Sequence, residues 1–197
     1  GWGGRYVLRT PAREETDPDG FTGGVPIPAE TRPIWTNASD SVTPFRASDF
    51  GVTIVPMERT YSGYRETIWR WRDDFQNDFA ARMDWTVRAP AEANHPPSVQ
   101  IVTPARIRVR SGQHVGLNAL GTTDPDGDSL SYHWFEYPEA GTCPARAVPS
   151  GAANLYERGF TAPEVDRECE LHFILRVTDK GSPPLSRYAR VIATVSP

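Results

Sequence analysis

The feature that most limits the folds open to this chain is a change of period near residue 97. Downstream, short runs of alternating apolar and polar residues occupy positions 98–102, 107–110, 114–120, 130–137, 171–178 and 188–195. Alternation at period two sets one face of a strand on a core and leaves the other in solvent. Six or seven such strands, parted by turn-forming residues within about 100 positions, predict a two-sheet sandwich of immunoglobulin type. Upstream the period is helical. In "SGYRETIWRWRDDFQNDFAARMDW", Tyr64, Ile68, Trp71, Phe75, Phe79 and Met83 recur every three or four residues. With Ser62 as N-cap and Glu66 in the first turns, the pattern predicts one long helix over about 62–85. The fold class expected is mainly β with one long helix.

Between residues 10 and 61 neither period is visible, and Pro, Gly, Thr and Asp are frequent. So long an irregular stretch is unusual inside an independent domain. It is expected to wrap over a partner surface, with Arg32-Pro33-Ile34-Trp35 and Val52-Thr53-Ile54-Val55 as anchors. Residues 88–97, "RAPAEANHPP", read as a linker, because a proline pushes the residue before it out of the helical region. The start at Gly1, with neither initiator methionine nor signal peptide, reads as a processed product or a piece of a longer chain.

Composition narrows the classes. Apolar residues make up 38% of the chain and mean hydropathy is −0.51, so a core forms but is not large. Nineteen prolines and sixteen glycines favour strands and turns over a helical bundle. A net charge of −4 supplies no attraction for nucleic acid or an anionic membrane, and no apolar run is long enough to span a bilayer. Lys180 is the single lysine; arginine supplies the other cations, by GC-rich codon usage or for binding carboxylates and sugars.

Cys143 and Cys169 stand in no metal-type spacing. Paired, they close a loop of about 27 residues, worth roughly 3.5 kcal/mol in the chain-entropy model. Two cysteines are also what a cytosolic chain carries as free thiols.

The stretch "TTDPDGDSLSYHW" sets Asp124, Asp126 and Asp128 at one-three-five spacing. A helix–loop–helix calcium site is excluded, since Ser129 stands where its glycine belongs and Phe135 where its glutamate belongs. Two readings stand. The first is a strand-launching turn, with Pro125 fixing φ and Gly127 accepting a left-handed conformation. The second is the same turn holding calcium, its carboxylates joined by Asp179 after "LRVTD". "TDPDG" also occurs at 16–20 with no strand pattern behind it, as a local turn motif would.

No catalytic constellation emerges. His95, His114, His133 and His172 are scattered, with no two at ligand spacing, and no "GxSxG" anchors a serine nucleophile. Asp73, Asp74, Asp78 and Asp84 lie on an arginine-rich helix, where charge pairing is the ordinary role.

Sugar rings present C–H faces that pack on aromatic surfaces. Trp69 falls off the apolar helix stripe and is a candidate for exposure, whereas Trp71 lies on it. On the "YHWFEY" strand, Trp134 is expected in the core. That leaves Phe135 and Tyr137, with His133 beside them, on the outer face. These three either form an aromatic platform or are covered by a neighbouring domain.

"DPDGDSLSYHW" followed by "FILRVTDKGSPPLSRYARVIATV" resembles the PKD- and cadherin-like sandwich modules of secreted bacterial glycan-processing proteins. With "IWRWRDDFQNDFAARMDW", "ANHPP", "FEYPEAGT", "GWGGRY" and "RPIWT" added, most of the chain resembles the C-terminal part of bacterial cellulose-binding proteins that carry a nucleoside-hydrolase-like domain. The resemblance implies that residues 1–94 end an α/β nucleoside-hydrolase-like domain and residues 95–197 form a separate immunoglobulin-like sandwich. It further implies a secreted or periplasmic protein, with a polysaccharide such as cellulose and the upstream domain as partners. Nucleoside hydrolases hold calcium in an aspartate cluster; no "DTDxxxDD"-like segment occurs here, so this chain alone is expected to be non-catalytic. An intact parent hydrolysing glycosyl or N-ribosyl bonds, and a purely structural spacer, are the alternatives. Cys143–Cys169 is then expected as a disulfide. The glycan-binding candidates are Trp69, His133, Phe135 and Tyr137; the calcium candidates are Asp124, Asp126, Asp128 and Asp179.

Overall fold

The computed structural model of the chain describes residues 4–10, 32–47, 54–56 and 58–197. The first half holds strands β1 (Tyr6–Arg9), β2 (Ile34–Asn37), β3 (Asp40–Val42), β4 (Phe45–Ala47), β5 (Ile54–Pro56) and β6 (Tyr61–Gly63), then helices α1 (Glu66–Trp69) and α2 (Arg72–Asp84). The second half holds β7 (Arg106–Arg110), β8 (His114–Asn118), β9 (Ser131–Glu136), β10 (Glu157–Thr161), β11 (Cys169–Thr178) and β12 (Ser186–Ser196). Two compact units result: residues 1–43 with 59–71, and residues 44–58 with 72–197.

The larger unit contains the predicted sandwich. One sheet runs β7-β12-β11-β9, antiparallel except for the parallel β7–β12 pair, and β8 pairs with β10 in a second. Period two is visible in the burial of β9, where Trp134 and Glu136 are buried and His133 and Phe135 are not. The core between the sheets takes Leu117 and Phe160 from one side, and Trp134, Phe173, Leu175, Val177, Val191 and Val195 from the other. Phe160 and Phe173 meet with ring centroids 4.2 Å apart. The indole Nε1–H of Trp134 donates to Tyr156 O at 3.2 Å, so the buried ring leaves no polar group unmet. Strand β10 is not legible in the sequence: "ERGFT" holds one large apolar residue, Phe160, and too little alternation to register. The run 98–102 makes only an isolated bridge, Ser98 to Thr123.

The single long helix expected over 62–85 is not formed. Ser62 lies in β6, its hydroxyl 2.7 Å from that of Ser41, and α1 begins after Arg65 with no side-chain cap. The helical run breaks at Arg70–Trp71 and resumes as α2. Nor does α2 dock by its apolar stripe, for Phe79 and Met83 are exposed. It docks by Asp74, Asp78 and Ala81, at spacing i, i+4, i+7. Asp74 accepts bonds from Ser186 Oγ (2.8 Å), Arg176 Nη1 (3.4 Å) and the Tyr188 hydroxyl, and Asp78 from Arg187 Nη1 (3.1 Å). Polar and charged side chains of β11 and β12 thus outcompete the apolar pattern for this helix. Arg82 Nε donates to Asp78 at 2.7 Å, the i,i+4 pairing expected of the helix charges.

The smaller unit is built from two-stranded ribbons, β1–β2 and β3–β6, with α1. Asp40 and Glu66 are its buried acidic residues, and Asp40 accepts from Arg5 Nε and Nη2 at 2.9 and 2.8 Å and from Arg70 Nη1 at 3.1 Å. The stretch 10–61, irregular by its sequence pattern, thus holds several three- or four-residue strands, too short for alternation to show. The second "TDPDG", at 16–20, and Val52-Thr53 of the second anchor lie outside the described residues.

Candidate functional site

The aspartate loop is a corner tied by hydrogen bonds. Gly127 N–H donates to Asp124 O at 3.3 Å, closing a turn, and Gly127 sits at φ +82°, where glycine is favoured. Asp124 Oδ1 accepts the N–H groups of Asp126 and Asp128 at 2.9 and 3.1 Å. Asp126 accepts the His95 N–H at 2.6 Å and lies 3.0 Å from its Nδ1. Burial opposes ionisation of Asp126, but the bonds from His95 win and hold its carboxyl below the ordinary range. Asp179 is buried and accepts the N–H groups of Gly181 (3.0 Å) and Leu185 (2.9 Å) and the Asn94 amide (3.2 Å). Desolvation, then the charges of Asp124, Asp179 and Asp126, raise Asp128 above the ordinary range. Asp124 Oδ1, both oxygens of Asp126 and Asp179 Oδ1 are thus engaged by nitrogen partners. Among the described residues no three His, Cys, Asp or Glu side chains converge as metal ligands.

The same loops explain why "ANHPP" is more than a linker. Asn94 Nδ2 also donates to Pro183 O at 2.8 Å, Trp85 Nε1 donates to Asn94 O at 2.8 Å, and the Trp85 and His95 rings stack at 6.0 Å. Gly181 is required here for space, since a Cβ would collide with the Asn94 amide. The segment is pinned to one end of the sandwich by side chains whose pairing no local pattern announces.

Cys143 and Cys169 form a disulfide, with an S–S distance of 2.01 Å and Cα atoms 4.9 Å apart. It joins the segment after β9 to the start of β11. In the same region Glu136 is buried, and it accepts from Arg146 Nε at 3.0 Å and Ala147 N–H at 3.1 Å.

Three glycan candidates lie together. His133 and Phe135 project from the outer face of β9, with ring centroids 5.0 Å apart, opposite Arg176 and Ile174 of β11. Tyr137 follows, its N–H donating to His172 O at 2.7 Å. All three are half-buried. Burial first, then the positive charges of Arg176 and Arg158, push the His133 imidazole down to about 3, so it is neutral at ordinary pH. Trp69 belongs to the other unit. It ends α1, is 50% exposed, and carries the Arg65 guanidinium 5.3 Å from its ring centroid.

Other exposed aromatic residues are not marked as glycan candidates by the sequence pattern. Trp35 and Tyr6 stand exposed on the β1–β2 ribbon. The signal that could have found them is "YVLR" set against "IWTN", two four-residue runs whose pairing places Leu8 opposite Trp35.

Among known proteins, residues 114–195 match the family model described as cellulose-binding protein Sde0182, C-terminal domain. The chain is similar, at 33% identity and a TM-score of 0.63, to the structure of a nucleoside hydrolase-related hypothetical protein from Saccharophagus degradans that is associated with carbohydrate metabolism. That match covers 73% of this chain and 35% of the other, so this chain spans about a third of its relative's length. The protocadherin GammaB4 extracellular domain matches at 16% identity and a TM-score of 0.32, over 51% of this chain and 17% of that one. No curated protein matches the chain significantly.

Proposed function

With residues 114–195 matching the C-terminal domain of the Sde0182 cellulose-binding family, we propose that this chain is the non-catalytic, carbohydrate-associated portion of a secreted polysaccharide-binding protein, with a cellulose-type glycan as ligand. The observation that carries this reading is the family match over the disulfide-closed sandwich. Two others support it. A relative of 33% identity is associated with carbohydrate metabolism, and a disulfide suits an oxidising compartment. In this reading residues 1–94 belong to a nucleoside-hydrolase-like part and residues 95–197 to the separate module.

Within it the aspartate loop is a hydrogen-bonded corner, and no metal-dependent step is assigned to it. His133, Phe135 and Tyr137 are half-buried on a sheet face that also receives α2. That favours the sandwich as a scaffold, with sugar contact made elsewhere on the chain.

The test is retention of the chain on insoluble cellulose and a panel of other polysaccharides, with and without calcium. Retention on cellulose, indifferent to calcium, is the result expected. Absence of retention on every glycan sinks the reading in favour of a spacer. Retention that requires calcium overturns the assignment of the aspartate loop.

A further inference from the structure

We propose that the exposed face of the β1–β2 ribbon is this chain's sugar-contacting surface, a stacking platform for the pyranose rings of a neutral glucan. The proposal rests on the carbohydrate reading above and gives it a site.

Strand pairing fixes which side chains share that face. Leu8 lies opposite Trp35 and Tyr6 opposite Asn37, so these four project to one side. Three are large and apolar, and they are open to solvent: Trp35 is 69% exposed, Tyr6 52% and Leu8 51%. Residues of this size on regular strands ordinarily find cover, and a contiguous exposed group marks a contact surface.

Charge selects the occupant. Arg9 projects to the opposite face, where its Nε donates to Thr36 Oγ1 at 2.8 Å. Arg5 is turned into the unit and held by Asp40. These four paired positions present an indole, a phenol, an isobutyl group and an amide, and no Asp, Glu, His, Lys or Arg stands among them. A uronate chain, a nucleic acid or an anionic headgroup finds no cation among them. A glucan with equatorial hydroxyls fits. Its rings carry flat C–H faces for stacking and hydroxyls at their edges for the Asn37 amide, the Tyr6 hydroxyl and the indole N–H. Tyr6 and Trp35 are diagonal neighbours, about 7–8 Å apart in an antiparallel pair, which suits successive contacts along one chain.

The ribbon is also braced. Ala38 N–H donates to Arg5 O at 2.9 Å, and Gly4, at φ +71°, lies so close to Thr67 and Ile68 that a Cβ there collides with the Thr67 side chain and crowds that of Ile68. A platform held in place loses less entropy on binding than a free hairpin.

The experiment uses the whole 197-residue chain. Retention on amorphous cellulose and fluorescence titration with cellohexaose are compared for wild type, Trp35→Ala, Tyr6→Ala, Trp35→Phe, Trp69→Ala and Phe135→Ala. Polygalacturonate serves as the anionic glycan, and far-UV circular dichroism checks that each variant is folded. The expected result is a loss of about tenfold in affinity for Trp35→Ala and Tyr6→Ala, with partial rescue by Trp35→Phe. Trp69→Ala and Phe135→Ala should stay near wild type. Wild-type binding unaffected by Trp35→Ala and Tyr6→Ala overturns the ribbon site while leaving the carbohydrate reading intact. Failure of the wild type to bind any glycan overturns both. Preference for polygalacturonate overturns the neutral-ligand assignment. Self-association on sedimentation that Trp35→Ala abolishes, without cellulose binding, makes the face a protein contact and also overturns it.

Discussion

Trp134 and Trp35 are the same side chain on strands of two different units, and they are used in opposite ways. The first is 3% exposed and the second 69%. Trp134 lies in a strand whose sheet is covered on both faces: by the core on one side, and on the other by a surface that receives α2. Trp35 lies in a ribbon of two strands, and among the described residues no further strand joins it. The sandwich consumes Trp134, Phe160 and Phe173 in packing, whereas the ribbon leaves Tyr6 and Trp35 facing outward. An aromatic residue is therefore a poor guide to binding until the layer count of its sheet is known.

The sharpest break of the comparison is Trp134→Ala. It empties a filled core position and takes from Tyr156 O one of its two donors, leaving it only the Ala119 N–H. It is expected to lower stability by about 3–5 kcal/mol in chemical denaturation. Replacing Cys143 and Cys169 together by alanine comes next. It frees a loop of sequence separation 26, at a cost of roughly 3.5 kcal/mol. A loss of unfolding free energy below about 1 kcal/mol, for either change, would show that the sandwich does not unfold as the stability-limiting unit.

How much of this is legible in the sequence follows from the same count of layers. Strands β7, β8, β9, β11 and β12 announce themselves because one face of each meets a core, and period two survives wherever that holds. Trp134 in the core is legible for the same reason, and the Asp124–Gly127 turn is legible from Pro125 and Gly127. The docking of α2 is not, because its decisive contacts come from Arg176, Ser186 and Tyr188, more than 100 positions away. The stripe of Phe75, Phe79 and Met83 has the pattern of a buried face, and only tertiary partners show that the acidic face is used. Apart from β1, which "GWGGRYVL" announces as a glycine-rich turn entering a short strand, the ribbons escape because three- and four-residue strands are too short to display a period. Alternation is clear on β9, so sequence alone points there for sugar contacts and passes over Trp35.

Asp74 gives a test of intermediate size. Three groups donate to it, and burial, then Asp74 itself, push the Tyr188 hydroxyl pKa upward. Asp74→Ala takes away that shared acceptor and should cost about 2 kcal/mol, while Asp73→Ala, on an exposed side chain, should cost less than about 0.5 kcal/mol. Equal effects would mean that α2 is held by something other than its acidic face.

The pH dependence is smaller and has a definite sign. His133 is pushed down to about 3, and burial with the Arg190 charge also lowers His172. For both, the unfolded chain binds more protons than the folded one once pH falls below the ordinary histidine value of about 6.5. Stability is therefore fully present above that value and declines as the solution is acidified, by at most about 1.4 kcal/mol per pH unit for each histidine. The carboxylates held low, Asp78 and Asp126, begin to matter only near and below their ordinary value of 3.8, and Asp128, held high, acts with the opposite sign, so a fall in stability from about pH 7 to 5 belongs to the imidazoles. Melting temperature should fall across that window, and His133→Gln should flatten the slope. A profile that rises toward the acidic end is incompatible with neutral, buried imidazoles.

The smallest stability effect belongs to Trp35→Ala, and its smallness is the point. An exposed side chain on a two-stranded ribbon has little burial to lose, so the unfolding free energy should change by no more than about 0.5 kcal/mol. Set beside Trp134→Ala, the same substitution then spans almost the whole range of single-residue effects within one chain. A cost near about 3 kcal/mol at Trp35 would mean that the ring is covered in solution, and the ribbon face would no longer be available to a sugar. A cost near zero, with cellulose retention lost, would divide the labour between the two units. The sandwich would hold its fold together with its aromatic residues, and the ribbon would keep its own open for the ligand.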